Sequence, residues 1–459
     1  MAVKRKASVK KKARAKKSAA VKKKAGGKKG AVVKKKARAK KSAAVKKKAG
    51  GKKGAAVKKK AAGKKKAARK KKATKRKLSK KKAGRRKAAV PKSRKAMTKS
   101  DKTTIRLIDQ SAATVHETIK KSQKPDLLFP VRSLGNVSYS KKKGYFEIGK
   151  QKKTRTLTVN TVKSFAQTLR MMALSKQLVQ TNDFATKRDA YYQSKNWDAA
   201  KFEEQSESDT VMDDIEAMFS VDRISREQLR FIPDEHGGAV AGRLVVLDPD
   251  RETGRVERID CTRFGSGAYS IPSSVEQLSF ETKAKFILAI ETGGVFQRLQ
   301  SHKFWETNNC ILISLAGVPA RSTRRFIRKL SDECKIPVYA FVDCDPYGIS
   351  NIYRTLKVGS GNAAHLSQFF CVPNARFLGV TPQDIIDYQL PTHPLQEVDI
   401  KRAKDALKND PFFKSQVPWQ KAIEQLLKMG VRAEQQALAM WGLNYVIEEY
   451  LPAKLANRG

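Results

Sequence analysis

The first hundred residues hold no aspartate, no glutamate and no aromatic residue. Too little apolar surface remains there to offset the entropy of ordering a chain, so this stretch builds no core of its own. Nowhere does an apolar run approach the ~18 residues of a membrane helix, and no apolar segment follows the basic start as a secretory signal would require. No membrane partner is expected. The five cysteines (Cys261, Cys310, Cys334, Cys344 and Cys371) form no C-x-x-C pair. They read as buried free thiols of an intracellular, reducing compartment rather than as a disulfide frame. The phosphate-cradling pattern G-x-x-x-x-G-K-[ST] is also missing, so no nucleotide site of that type is expected.

What is present in abundance is positive charge, unevenly placed. The formal net charge is +57; of the 99 Lys and Arg, 48 stand in residues 1–100, which leaves 51 basic against 42 acidic groups beyond them. The stretch KKKARAKKSAAVKKKAGGKKGA begins at Lys10 and recurs from Lys34, with degenerate copies to about Lys87. A short period without apolar positions is low-complexity sequence, not a solenoid. Residues 1–100 are therefore expected to be a disordered Lys/Ala-rich tail. Each phosphate that a lysine neutralises releases counterions, so such a tail binds nucleic acid without sequence preference and with steep salt dependence. A merely solubilising or targeting tail is the plainer alternative. The composition resembles linker-histone and bacterial histone-like tails.

The remaining 359 residues are long enough for two or more domains. Ile105, Ile108, Ala112, Val115 and Ile119 recur at helical spacing until Pro125. Extended strands with a turn are expected over LLFPVRSLGNVSYSKKKGYFEIG, and a second amphipathic helix over VNTVKSFAQTLRMMALSKQLVQ. MDDIEAMFSVDRISREQLRFIP reads as helix, turn and second helix, and AGRLVVLDPDRETGRVERIDC as a hairpin turning at DPDRETG. Helix, turn, helix and hairpin wing predict a winged-helix (CAP-like) domain over residues 151–270.

After Pro272 the texture becomes α/β. KFILAIE, NCILISL, PVYAFVD and ARFLGV are short apolar runs separated by helical stretches, the pattern of a parallel sheet with crossovers. Amphipathic helices follow from about Glu397. The first of these runs ends at Glu291 and the third at Asp343, with Asp345 two residues on. Functional groups of an open parallel sheet gather beyond the carboxyl ends of its strands. Two residues apart in extended chain, Asp343 and Asp345 project to one side. Converging carboxylates repel one another unless a hard cation intervenes, and oxygen-only ligands select Mg2+. Taken separately, Glu291 also reads as a capping or surface acid and the D-x-D as part of a solvated loop. Glu, then D-x-D, on two strands of one unit resembles the Toprim fold of topoisomerases, bacterial primases and some nucleases.

In TKRDAYYQS a helix sets Arg188 four residues before Tyr192, on the same face. A phenol of pKa near 10 is a poor nucleophile; a neighbouring guanidinium favours its anion and neutralises charge building on phosphorus. The bland reading is a packed tyrosine pair with Arg188 in a surface ion pair. R-D-x-Y-Y, however, resembles the catalytic motif of topoisomerase VI A subunits and of the eukaryotic meiotic double-strand-break proteins. PVRSLGNVSY, GAYSIPSSVE, ILAIETGGVFQRL, DCDPYG, LKVGS and LGVTPQDIIDYQLP follow the family in order, across essentially all of residues 101–459.

The resemblance implies Tyr192 as nucleophile assisted by Arg188, and Glu291, Asp343 and Asp345 as ligands of Mg2+. It implies a homodimer on double-stranded DNA in which the tyrosine of one protomer meets the metal site of the other. A separate ATPase B subunit would dock on residues 101–150, giving an A2B2 heterotetramer. The implied layout is α/β plus α+β: the winged-helix domain, then a Toprim domain with C-terminal helices over 271–459. Its activity would be that of a DNA topoisomerase, in the cytoplasm or nucleoid, or the nucleus of a eukaryote. Rival readings are a meiotic-type break protein without strand passage, a histone-like binder with a degenerate enzyme body, and another Toprim enzyme. One departure stands out: where the family pattern has Lys-Gly-x-Pro-Asp after the second Toprim strand, this chain has Ala316-Gly317-Val318-Pro319-Ala320. That puts a DNA-contact or structural role of the loop in doubt.

Overall fold

The computed structural model describes residues 97–233, 237–250 and 253–457; the expected disordered tail lies, but for its last four residues, outside them. Helix α1 (Lys99–Lys120) starts at a capping box in which Thr98 Oγ1 accepts from the Asp101 amide at 3.1 Å and Asp101 caps the Thr98 amide in return. The first acidic residue of the chain thus offsets orphan helix-end donors, and it also meets Arg230 at 2.8 Å. The buried stripe of α1 runs through Thr104, Ile108 and Val115, while Ala112 and Ile119 are exposed. Residues 105, 112 and 119 form a row about 60° around the helix from that stripe, at the rim of contact.

Strand β1 (Asp126–Pro130) pairs antiparallel with β4 (Lys152–Thr156), enclosing a hairpin of β2 (Val137–Ser140) and β3 (Tyr145–Ile148). There follow helix α2 (Val162–Thr181), strand β5 (Ala185–Thr186), helix α3 (Lys187–Gln193), helix α4 (Gln205–Phe219) and strand β6 (Phe231–Ile232), which pairs with β5. Met171, Met172, Ala190, Phe202, Met212, Ile215 and Phe231 form the core of this half. Asp214 of α4, fully buried, accepts from Arg132, Lys153 and Arg155 at 3.0–3.1 Å and so fastens the β1–β4 ribbon to the helices.

The expected second helix after α4 does not form: residues 226–230 are turns between Arg223 and Arg230, both at positive φ. A few residues cannot repay helix nucleation, and buried Glu216 takes the Arg226 amide at 2.6 Å, which fixes the turn instead.

The hairpin turning at DPDRETG is present, as β8 (Val245–Pro249) against β9 (Val256–Asp260). It does not close the helical half. It forms a three-stranded sheet with β11 (Ser279–Glu281), and Leu244 and Val246 join the core of the second half. The wing expected there is therefore a neighbour of the α/β sheet by packing. Its alternating pattern specifies a hairpin but not the surface it covers.

The main sheet has six strands in the order β10 (Tyr269–Ser270), β7 (Ala239–Gly242), β13 (Cys310–Ser314), β12 (Phe286–Ile290), β14 (Val338–Phe341) and β15 (Ala375–Gly379). The last four are mutually parallel; β7 runs antiparallel to β13 and to β10. Strands β12, β13 and β14 are buried at every position, as a sheet covered on both faces requires. Helix α5 (Gly293–Ser301) follows β12 and helix α6 (Arg321–Cys334) follows β13. Helices α7 (Glu397–Asn409) and α8 (Val417–Met429) belong to the C-terminal region. From α6, Arg321 reaches into the helical half and forks onto Glu216 at 2.6 Å and Glu227 at 3.0 Å.

Candidate active site

Helix α3 has only seven residues, too few to be stable alone. Three features hold it. Thr186 and Asp189 form a reciprocal capping box, each accepting the other's amide at 3.0 Å. Strand β5 ties its first turn to β6, and Ala190 is fully buried in the core. The aspartate of the R-D-x-Y-Y motif is thus a cap. The two tyrosines then part company. Tyr191 is half-buried, donates to the Glu203 carbonyl at 2.8 Å and lies beneath the Lys195 ammonium. Tyr192 is 58% exposed, and its hydroxyl has no partner among the described residues. Arg188, one turn earlier, is also exposed and unpaired among them. One tyrosine anchors the helix and the next is presented.

Glu291, Asp343 and Asp345 stand just past the carboxyl ends of β12 and β14, adjacent parallel strands. Each is half-buried and held by backbone. Glu291 accepts the Asp343 amide at 2.9 Å, Asp343 accepts the Gln435 amide at 2.8 Å, and Asp345 accepts the Gly348 amide. Cys344 between the two aspartates is buried and bridges to Ala433, so its neighbours face the other way. A Cβ on Gly348 would lie 2.7 Å from the Asp343 carbonyl, so the close turn there needs glycine. Burial, reinforced by the charges of Asp343, Asp345 and Glu434, pushes Glu291 up to about 8. Asp343 is pushed up to about 6, again chiefly by burial and then by Asp345 and Glu434, against the Gln435 amide. Asp345 is raised by burial. Arg432, 3.8 Å from Asp345, offers partial compensation.

The raised values mean that protons relieve much of the charge that neighbouring cationic residues do not balance at this edge, whose donors are hard oxygens throughout. Among the described residues no three acidic, histidine or cysteine side chains stand close enough together to enclose a cation by themselves. The donors present are carboxylate oxygens, the type Mg2+ takes, and Mg2+ usually keeps several waters and binds through one or two carboxylates plus substrate phosphate.

The departing loop lies beside this edge. Ala316 and Gly317 have positive φ, and the Gly317 amide donates to the Glu291 carbonyl at 3.2 Å. Ala320 is the N-cap of α6 and supplies no side-chain acceptor; an aspartate there would satisfy a first-turn amide, typically worth about 1 kcal/mol. Sequence reasoning missed Arg432, Glu434 and Gln435, about ninety residues from the aspartates along the chain. No local pattern marks them.

Three family models match: the Toprim domain of the topoisomerase 6 A protein and Spo11 over residues 286–455, type IIB DNA topoisomerase over 163–229, and the all-beta domain in DNA topoisomerase VI alpha subunit over 234–284. The last of these includes the β8–β9 hairpin, in line with its packing. The chain is 54% identical over 350 residues to the A subunit of type 2 DNA topoisomerase 6 from Methanocaldococcus jannaschii, spanning 76% of this chain and 94% of that one. It is 36% identical to its counterpart from Archaeoglobus fulgidus, spanning 79% and 99%, and 37% identical to that from Halobacterium salinarum, spanning 73% and 91%.

Proposed function

The chain belongs to the topoisomerase VI A-subunit family, and from that premise we propose that it is the DNA-cleaving subunit of a type IIB topoisomerase, with Tyr192 as nucleophile. The observation that carries the reading is the contrast within α3: Tyr191 is fastened, whereas the Tyr192 hydroxyl is exposed and unpaired one turn from Arg188. The Tyr192 oxygen attacks a backbone phosphorus, a Tyr–O–P bond forms as the P–O3′ bond breaks, and the leaving oxygen takes a proton to become a free 3′-OH. The product is a 5′-phosphotyrosyl ester on each strand, and the reverse attack by the 3′-OH reseals it. Arg188 stabilises the phenolate and charge on the phosphorane. Glu291, Asp343 and Asp345 would supply carboxylates to Mg2+, which when bound would polarise the phosphate and stabilise the leaving oxygen.

Tyr192 belongs to the helical half and the acids to the sheet edge of the other half; two chains arranged as a dimer bring the tyrosine of one to the acids of its partner. The helical half serves as a DNA-binding domain, and residues 101–150 dock an ATPase B subunit that drives duplex passage in an A2B2 assembly. No helix among the described residues is long and apolar enough to cross a membrane; a DNA-cleaving subunit works in the nucleic-acid compartment of the cell. The basic arm adds affinity for DNA without sequence preference.

The test uses the chain with its candidate B partner, supercoiled DNA, Mg2+ and ATP. The wild type should relax DNA and yield a covalent protein–DNA adduct, and Tyr192→Phe should do neither. Relaxation by Tyr192→Phe would refute the assignment. Adduct formation by the wild type without relaxation would favour the break-forming reading over a topoisomerase.

A further inference from the structure

The segment after α8 runs antiparallel along the aspartates of the acid edge. Arg432 lies 3.8 Å from Asp345, Ala433 and Cys344 exchange backbone hydrogen bonds at 2.9 and 3.1 Å, and the Gln435 amide donates to Asp343 at 2.8 Å. The Gln435 side chain then crosses to the neighbouring strand end, where its Oε1 accepts the Thr292 amide, next to Glu291, at 3.2 Å. One residue thus grips the ends of both acid-bearing strands. Gln435 is 1% exposed, and its Nε2 is buried with no hydrogen-bond partner. Because Oε1 is already engaged with an N–H donor, turning the amide over would set two donors against each other. An orphaned buried donor is costly, and such a group marks the place of a water or other acceptor. The charge of Glu434, the preceding residue, is felt by both Glu291 and Asp343.

We propose that Gln435 is a positioning residue for the divalent cation: it sets the spacing of Glu291 and Asp343 by gripping both strand ends, and its Nε2–H is left without an acceptor among the described residues. This rests on the metal-site reading above. Groups just outside the ligands commonly set metal affinity by 10–100-fold.

The experiment is isothermal titration of Mg2+ into the full chain, comparing the wild type with Gln435→Met, of similar shape but without the amide, and with Asp343→Asn. The wild type should bind saturably, Asp343→Asn should not, and Gln435→Met should bind about 10–100-fold more weakly. In DNA cleavage with the B partner, the Mg2+ concentration for half-maximal rate should rise by the same factor for Gln435→Met, with the plateau recovered at high Mg2+. A merely structural glutamine would lower the plateau and the melting temperature but leave that midpoint in place. If Gln435→Met does not fold, Gln435→Asn, too short to bridge both strands, serves with the same expected shift. An unchanged Mg2+ affinity and midpoint in a folded variant overturn the role of Gln435 alone. Wild-type Mg2+ binding that survives Asp343→Asn overturns the metal-site reading and this inference with it.

Discussion

The tyrosine helix and the acid edge are built on opposite principles. Helix α3 is short, rests on one cap, one two-residue ladder and one buried alanine, and leaves Tyr192 and Arg188 in solvent. The acids sit at the end of fully buried strands, each carboxylate already accepting a backbone amide. A nucleophile that must meet a strand of DNA gains from exposure. Carboxylates that must hold a cation gain from a rigid, partly dry edge, where burial and mutual repulsion keep them protonated above the usual range until a cation arrives. Neither region is complete alone; the proposed dimer would bring the tyrosine of one chain to the acids of the other.

The sharpest way to break the comparison is at the tyrosines. Tyr192→Phe should reduce covalent adduct by at least about 10^3-fold, while Tyr191→Phe, which loses only the bond to the Glu203 carbonyl, should keep cleavage within about tenfold and lower the melting temperature slightly. Adduct assays on both variants decide it, and the reverse result would exchange their roles.

Next come the acids. Glu291→Gln and Asp343→Asn should each lower cleavage by about 10^2–10^3-fold. In metal-free protein Glu291 titrates at about 8 in the folded chain, against 4.5 for an unperturbed glutamate. Between those values the folded state binds more protons than the unfolded one, so stability falls as pH rises. Thermal melts from pH 5 to 8 should show that fall, Mg2+ should reduce it, and Glu291→Gln should leave only the smaller part that Asp343 and Asp345 contribute.

The joint between the halves is a third target. Arg321→Met strands Glu216 and Glu227, both buried. Leaving buried charge unpaired costs about 3–5 kcal/mol, to be read by urea unfolding. A loss below about 1 kcal/mol would mean that the halves do not rely on this fork.

The smallest effect on chemistry should come from removing the arm. A chain beginning at Met97 keeps the Thr98 cap of α1. It should bind DNA more weakly, with a shallower dependence of log affinity on log salt, yet cleave normally at saturating DNA. Lost cleavage there would show that the arm takes part in the reaction.

Much of both regions is legible in one dimension. Glu291 and the Asp343-x-Asp345 pair stand out because buried strands write apolar runs and their ends write the exceptions. The KRDAYY segment stands out through helical spacing. The turn after α4 passes for a helix because Arg226, Glu227 and Arg230 look like a solvated helix face, whereas all three are buried. The β8–β9 hairpin is legible as a hairpin while its neighbour is not, since alternation records which face is apolar and not what covers it.

By itself the sequence determined the polycation, the four-strand parallel unit, the identity of the acids and the short capped helix, because charge, period and capping are local properties. Only tertiary structure decided which of two adjacent tyrosines is fastened, where the β8–β9 hairpin packs, and that Gln435 grips both acid-bearing strands. Those depend on contacts between residues tens to well over a hundred positions apart, and such contacts leave no period in the chain that makes them.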